Sequence, residues 1–92
     1  MKSVKLFYMQ GCPYCQSAER AIAELTAVDK RYASVEIERI DENAQPQKTE
    51  GYDYWYVPSM FIDGTKVYEA DPSQDYASIY VSVKGALDAA LK

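Results

Sequence analysis

Three apolar patterns in succession constrain the fold of this chain more than any other feature of its sequence. Residues 4–9 form a near-continuous apolar run, which is typical of a central β-strand covered on both faces. Residues 15–27 then carry apolar side chains at helical spacing. Residues 35–40 alternate apolar and mostly charged side chains, as in a strand near the edge of a sheet. Strand, helix and strand in this order predict a parallel, right-handed β-α-β unit.

The second half of the chain predicts a β-hairpin. Residues 59–62 and 65–68 have strand-like composition and flank Asp63-Gly64, a pair that tolerates the positive φ angles of a type I′ turn. The preceding stretch, residues 41–53, has few aliphatic side chains, so we expect a loop there, with at most a short helix around residues 45–50.

A final helix is predicted from residue 71 onward. Asp71 can serve as its N-cap, Pro72 suits the first helical position, and Gln74 stands at the capping-box position. One apolar stripe then runs from Tyr76 to Leu91. The predicted fold is therefore α/β, of βαβ-(α)-ββα order, with a four-stranded mixed sheet between helices in a single domain of residues 1–92.

Composition narrows the classes of partner. The net charge is −4, and 10 Lys and Arg are scattered among 14 acidic residues, so no basic stripe is available for nucleic acid. The hydrophobic fraction of 48% is ordinary for a soluble domain, and no apolar run approaches the length of a membrane span. The N-terminus has no apolar core typical of a signal peptide, so we expect a cytoplasmic protein without nucleic-acid or membrane partners.

Both cysteines lie at the junction of the first strand and the first helix. Cys12 and Cys15 are separated by two residues, so they could form a small disulfide without a large backbone movement. The N-terminus of a helix favours a thiolate on the first sulfur, which makes Cys12 the expected nucleophile and Cys15 the resolving thiol. Pro13 suits the first helical turn, and Gly11 would let the backbone approach the sulfur closely. Tyr14 is either a substrate contact beside the dithiol or an exposed loop aromatic.

Two motifs separated by a β-α-β-length spacer resemble a known family. The first is Cys-Pro-Tyr-Cys at residues 12–15, and the second is Val-Pro-Ser-Met-Phe-Ile-Asp-Gly at residues 57–64. Together they resemble the thioredoxin fold and, within it, the dithiol glutaredoxins. The resemblance implies a thiol-disulfide oxidoreductase in which Pro58 follows a cis peptide bond facing the dithiol. It also implies that the Val57 backbone pairs with an incoming peptide or thiol ligand.

The chain departs from the glutathione-binding pattern of that family. Many members have a basic residue at the position of Met9 and a Gly-Gly pair where this chain has Tyr68 and Glu69. Glu69 would place a like charge near a glutathione carboxylate, and Tyr68 would crowd a close backbone approach. Asp71 falls where the family has an acidic residue that contacts the amino group of glutathione, although the capping pattern explains it equally well. We therefore expect a reductase or another protein dithiol as electron donor, with glutathione as a possible co-substrate.

Two alternatives to this interpretation stay open. One is a glutathione-dependent glutaredoxin proper. The other is a non-catalytic module that binds a partner or an iron-sulfur cluster, because some family members bridge such a cluster between subunits. A tetrahedral metal site needs four Cys or His ligands, and this sequence has two Cys and no His, so we expect no metal within one subunit and no bound cofactor.

An aromatic run precedes the second motif. It comprises Tyr52, Tyr54, Trp55 and Tyr56, directly before Val57. Aromatic side chains of this kind either bury large areas in a core or form a recognition surface for a protein partner, and the sequence does not decide between the two. Because of its place beside Val57, we count Tyr56 among the candidate substrate-binding residues.

Overall fold

The computed structural model describes residues 2–92, so residue 1 of the predicted domain lies outside the described residues. In chain order the elements are β1 (Val4–Tyr8), α1 (Pro13–Val28), α2 (Lys30–Ala33), β2 (Ile37–Asp41), a 3₁₀ turn (Pro46–Thr49), β3 (Ser59–Ile62), β4 (Thr65–Glu69) and α3 (Tyr76–Ala90). No helix within the described chain has the length and apolar character needed to cross a membrane. The element order confirms the predicted α/β fold class.

The four strands form one mixed sheet in the order β2-β1-β3-β4. β1 pairs in parallel with β2, with Val4 opposite Ile37, and antiparallel with β3. The near-continuous apolar run thus lies in the middle of the sheet, and the alternating strand lies at its edge, as predicted. The carboxyl end of β1 leads directly into α1, which places the dithiol at that edge of the sheet.

The two faces of the sheet are covered differently. On one face, α1 and α3 pack against each other and against side chains that alternate along the strands. Apolar residues of that core include Val4, Leu6, Ala18, Ala21, Ile22, Leu25, Met60, Ile62, Tyr68, Ile79, Val83 and Leu87. On the other face, three buried residues are covered by the loop between β2 and β3 rather than by a long helix; these are Phe7, Ile40 and Phe61, with Tyr52, Tyr54 and Val57 packed against them.

The predicted hairpin is present with its predicted turn. Asp63 has φ 50° and Gly64 has φ 79°, so both central residues adopt the left-handed conformation that a type I′ turn requires. The ladder between β3 and β4 shifts register between Met60 and Phe61.

The predicted start of the last helix is wrong, because the helix begins about one helical turn later. The local bonds expected of Asp71 form, since Ser73 N–H donates to its carboxylate at 2.8 Å and Asp71 N–H donates to Gln74 Oε1 at 3.2 Å. They close a turn and do not begin a helix. The N-cap is Asp75, whose extended backbone interrupts the helical path and whose carboxylate accepts a bond from Ser78 N–H at 2.9 Å.

A short helix that the sequence patterns did not indicate separates α1 from β2. Asp29 caps α2 by accepting a hydrogen bond from Arg31 N–H at 2.9 Å. Tyr32 in α2 is buried, and its hydroxyl donates to Asp88 on α3 at 2.6 Å. Because α2 extends to Ala33, β2 begins two residues later than predicted. Val35 precedes the strand and packs in the core.

Candidate functional site

Cys12 occupies the N-cap position of α1. Its backbone is extended, with φ −88° and ψ 114°, and its sulfur accepts a hydrogen bond from the Cys15 N–H at 3.2 Å. This is the bond that a serine or aspartate oxygen makes at an ordinary helix N-cap. The sulfur therefore lies against the positive end of the helix, an environment that favours a negative charge on it.

Cys15 lies in the first turn of the same helix and is held as a neutral thiol. Burial, followed by its hydrogen bond with Cys12, raises the pKa of Cys15 to about 12. Both cysteines are free thiols, and both are buried, with exposed fractions of 3% and 5%. Exposure does not distinguish the two sulfurs, but their electrostatic surroundings do.

The peptide segment opposite the dithiol has the geometry that the resemblance implied. The Val57-Pro58 peptide bond is cis, and Pro58 is fully buried. The Val57 carbonyl oxygen lies 3.7 Å from Cys12 Sγ, at hydrogen-bond distance for an S–H donor. Ala70 N–H donates to the Pro58 carbonyl at 3.0 Å, which fixes the segment against the end of β4. Within residues 2–92 the Val57 N–H has no hydrogen-bond partner.

The neighbours of the cysteines differ in part from expectation. Gly11 has φ 75°, and a Cβ atom there would meet no atom within 4 Å. The requirement for glycine at this position is thus conformational, and the predicted close approach of its backbone to the Cys12 sulfur stays a prediction. Pro13 is the first helical residue, as predicted. Tyr14 is partly buried, and its hydroxyl donates to the Pro72 carbonyl at 2.8 Å, so it is not an exposed loop aromatic.

A groove of about 400 Å³ opens beside the two sulfurs. It runs between the end of β1 and the first turns of α1 and is lined by Tyr8, Met9, Gln10, Gly11, Cys12, Cys15, Gln16, Glu19 and Arg39. At one end, Arg39 binds Glu19 through two hydrogen bonds of 2.6 and 2.8 Å. These two residues are 20 positions apart in sequence, and no sequence motif indicated that they meet.

The aromatic run divides into an inward and an outward half. Tyr52 and Tyr54 pack against Phe7, with ring centroids 4.9 and 5.1 Å away. The Tyr54 hydroxyl donates to Glu42 at 2.8 Å, and burial together with that carboxylate raises the pKa of Tyr54. Trp55 and Tyr56 instead have exposed fractions of 88% and 52%. Within this one run, Tyr52 and Tyr54 therefore pack against the sheet, and Trp55 and Tyr56 are exposed to solvent.

Glu69 holds the backbone of the two outward residues, Trp55 and Tyr56, in place. The sequence indicated this residue only as a departure from the glutathione-binding pattern. Its carboxylate accepts the backbone N–H groups of Trp55 at 2.6 Å and Tyr56 at 2.8 Å, and the Lys66 ammonium at 2.7 Å. Lys66 also donates to the Asp53 carbonyl at 3.2 Å. The hydrogen bond from Lys66 is the largest of the contacts that lower the pKa of Glu69 below its usual range.

Tyr68 and Asp71, the other two residues of this segment considered for glutathione binding, flank Glu69 in the sequence. Tyr68 points into the core shared with α1 and α3, and its hydroxyl donates to Gln74 at 3.0 Å. Burial, followed by the nearby thiols, raises the pKa of Tyr68 to about 12. Its ring therefore belongs to the core under the dithiol. Asp71 is exposed and shares a surface groove with Trp55 and Tyr56.

The described residues offer no obvious metal centre. Across residues 2–92 no group of three or more His, Cys, Asp or Glu side chains is arranged to hold a metal ion.

Comparison with known proteins decides the family. A family model described as a thioredoxin domain, Thioredoxin_3, matches residues 2–75. The chain belongs to this thioredoxin family. A thioredoxin of Methanocaldococcus jannaschii is 29% identical over 72 residues, which cover 78% of this chain and 82% of that protein. Family membership and the adjacent Cys12 and Cys15 support a thiol oxidoreductase in general.

Solved structures agree on the fold. A structure described as that of a malarial protein superposes with a TM-score of 0.61 at 12% identity, covering 95% of this chain and 98% of that one. A mutant thioredoxin from Halobacterium salinarum superposes with a TM-score of 0.57 at 22% identity, covering 94% of this chain and 74% of that one. At such identities the similarity shows a shared thioredoxin fold.

Proposed function

We propose that this protein is a dithiol thiol-disulfide oxidoreductase that reduces protein or small-molecule disulfides. Cys12 is the nucleophile and Cys15 the resolving thiol. The observation that carries the proposal is the asymmetry of the pair. The Cys12 sulfur accepts a backbone N–H at the start of α1, whereas the pKa of Cys15 is raised to about 12.

The proposed reaction has two exchange steps. The Cys12 thiolate attacks one sulfur of the substrate disulfide, so that a Cys12–substrate bond forms, the substrate S–S bond breaks and one substrate thiolate leaves. Cys15 then loses its proton to a departing thiolate and attacks Cys12 Sγ. The Cys12–Cys15 disulfide forms and the second substrate thiol departs. The substrate gains two electrons, and the protein is left oxidised until a donor dithiol reverses the exchange.

The Val57 backbone is the proposed binding edge for the substrate. Its carbonyl faces Cys12 Sγ at 3.7 Å, and its N–H is free for a ligand, so an extended substrate segment could bond to both groups as a neighbouring strand would. Pro58 shapes this edge, and Tyr56 borders it on the solvent side. The substrate disulfide would thus be held beside the nucleophile by main-chain hydrogen bonds that tolerate many sequences.

We further propose that a reductase or another protein dithiol supplies the electrons. Met9, 37% exposed beside the dithiol, offers no charge to a glutathione carboxylate, and Glu69 places a carboxylate next to the Trp55–Tyr56 backbone. Glutathione as co-substrate, and a glutathione-dependent glutaredoxin proper, are the rival outcomes. The cytoplasmic location, the absence of a bound cofactor, the lack of nucleic-acid and membrane partners and the single-domain organisation stay predictions from the sequence.

Trapping of the mixed disulfide tests the roles of the two cysteines. Cys15→Ser should accumulate a covalent adduct with a disulfide-containing peptide, because the second exchange is blocked, and Cys12→Ser should form none. The adduct is measured by intact mass before and after reduction. Adduct formation by Cys12→Ser but not by Cys15→Ser would reverse the assignment.

A side-by-side turnover assay tests the electron donor. Thioredoxin reductase with NADPH is compared with glutathione plus glutathione reductase, each with the same disulfide substrate. We expect turnover with the first system and little with the second, and the opposite result would favour the glutaredoxin proper. Bound iron or colour in anaerobically purified protein, combined with no turnover in either assay, would instead support the cluster-binding module.

A further inference from the structure

We propose that a surface groove beside the dithiol binds a basic side chain, arginine or lysine, of a polypeptide substrate. The groove has a volume of about 370 Å³. We call it the aromatic groove, and it is lined by Trp55, Tyr56, Glu69, Ala70, Asp71 and Pro72. The inference deepens the proposed function and rests on it, since it names the feature by which a protein disulfide would be selected.

The position of the aromatic groove places it in the path of a substrate chain. Its aromatic wall directly precedes Val57, the proposed main-chain binding edge. Its other wall is fixed to the same segment, because Ala70 N–H donates to the Pro58 carbonyl at 3.0 Å. Pro72 is joined to the dithiol helix by the Tyr14 hydroxyl at 2.8 Å. A chain bound along Val57 would therefore carry a neighbouring side chain into the groove.

The chemistry of the lining favours a cation. Trp55 and Tyr56 are 88% and 52% exposed, so both aromatic side chains are accessible to a ligand. No Lys or Arg of the described chain lines the groove. Asp71 uses one carboxylate oxygen for the Ser73 N–H and hydroxyl, at 2.8 and 2.7 Å, and within residues 2–92 its other oxygen has no hydrogen-bond partner. An available carboxylate beside aromatic faces is suited to a guanidinium or ammonium group.

The second carboxylate in the lining plays a different role. Glu69 is occupied by Lys66 and by the backbone N–H groups of Trp55 and Tyr56, so it does not serve the ligand. We assign it as a positioning residue. It fixes the backbone beneath the two aromatic side chains before a substrate arrives, which lowers the ordering cost of binding.

The ammonium group of glutathione shares part of this chemistry, and our proposal commits to a side chain of a polypeptide. A guanidinium group can stack on an indole ring and bond to a carboxylate at once, which matches a groove lined by both Trp55 and Asp71. The two occupants are separated in the experiment below.

The test measures a preference within each protein variant. Two disulfide-linked peptides differ only in one residue beside the cysteine, arginine in one and glutamine in the other. Wild type should process the arginine peptide with about fivefold higher kcat/KM at low salt, and the preference should shrink as salt is added. Trp55→Ala and Asp71→Asn should each reduce the ratio to within about twofold of one. Val28→Ala, which removes an exposed apolar side chain at the far end of α1, should keep it.

A binding measurement makes the groove testable apart from turnover. The sequence has a single tryptophan, so fluorescence of Trp55 in a Cys12→Ser, Cys15→Ser variant reports binding of thiol-free peptides at the groove. The arginine peptide should change the fluorescence at lower concentration than the glutamine peptide or S-methylglutathione. Equal turnover of both peptides by wild type, or tighter binding of S-methylglutathione, would overturn the inference and leave the dithiol function standing. Arginine-selective fluorescence without turnover of any disulfide would remove the proposed function instead.

Discussion

The two faces of the sheet are buried by different means: two long helices cover one face, and the loop between β2 and β3 covers the other. On the helical face, α1 and α3 enclose an extended apolar core, and Tyr56, Val57 and Asp71 are not among its residues. On the other face, Phe7, Ile40 and Phe61 are covered by the aromatic run. That run leads straight into Val57 and Pro58, so packing on this face is continuous with the segment that opposes Cys12.

This contrast explains how one short run can contribute both to packing and to the recognition that we propose. Tyr52 and Tyr54 bury their rings against Phe7, while Trp55 and Tyr56 project outward from a backbone held by Glu69. The inward residues pack against Phe7, and the outward residues line the surface groove that contains Asp71. Substitutions in the helical-face core away from the dithiol should therefore change stability alone, whereas substitutions on the aromatic face should change stability and activity together.

The largest stability effect is expected on the helical face. Leu87 on α3 is fully buried, and Leu87→Ala should lower the free energy of unfolding by about 2–5 kcal/mol through lost contacts and a cavity. Activity at a temperature where the variant is folded should be nearly unchanged. Val81→Ala on the same helix, where Val81 is 68% exposed, should cost less than about 0.5 kcal/mol. Urea unfolding and kcat/KM measure both, and a large loss of activity in folded Leu87→Ala would break the contrast.

A smaller stability loss with a clear loss of activity is expected for Tyr52→Ala. The ring lies 4.9 Å from Phe7 and 5.0 Å from Phe61, and its removal should cost about 2 kcal/mol because Tyr52 is only partly buried. The Val57 segment should lose its support, so KM for a disulfide peptide should rise several-fold. Tyr52→Phe keeps the ring contacts and serves as the control. Unchanged KM in Tyr52→Ala would show that packing and recognition are separate here.

The smallest stability effect is expected for Glu69→Gln. The amide can still accept N–H bonds but loses the ion pair with Lys66, so the cost should be about 1 kcal/mol or less. The pKa of Glu69 is lowered in the folded state, so its contribution is present at neutral pH and is lost as the pH falls below the ordinary glutamate pKa of about 4.3. Denaturation across pH should show this loss in wild type and not in Glu69→Gln. Identical pH profiles would contradict the role given to Glu69.

The features that the sequence predicted are those encoded by local patterns. The strand before Cys12, the apolar periodicity of α1 and the Asp63-Gly64 turn each depend on a few adjacent residues, and the structure confirms all three. The division of the aromatic run could not be predicted, because it depends on which rings meet Phe7 across the sheet. The bonds of Glu69 to Trp55 span 14 residues and have no sequence signature. The predicted start of α3 is wrong because the turn at Asp71 forms the same hydrogen bonds as a helix cap would.

Selective alkylation of the reduced protein tests most directly whether the two thiols differ as the geometry indicates. Iodoacetamide is added at a series of pH values, and the modified cysteine is identified by peptide mass mapping. Cys12 should be alkylated near neutral pH, and Cys15 should stay largely unmodified until strongly alkaline pH, since its pKa is raised to about 12. Equal slow alkylation of both cysteines at neutral pH, or alkylation of Cys15 first, would contradict the roles assigned to the two sulfurs.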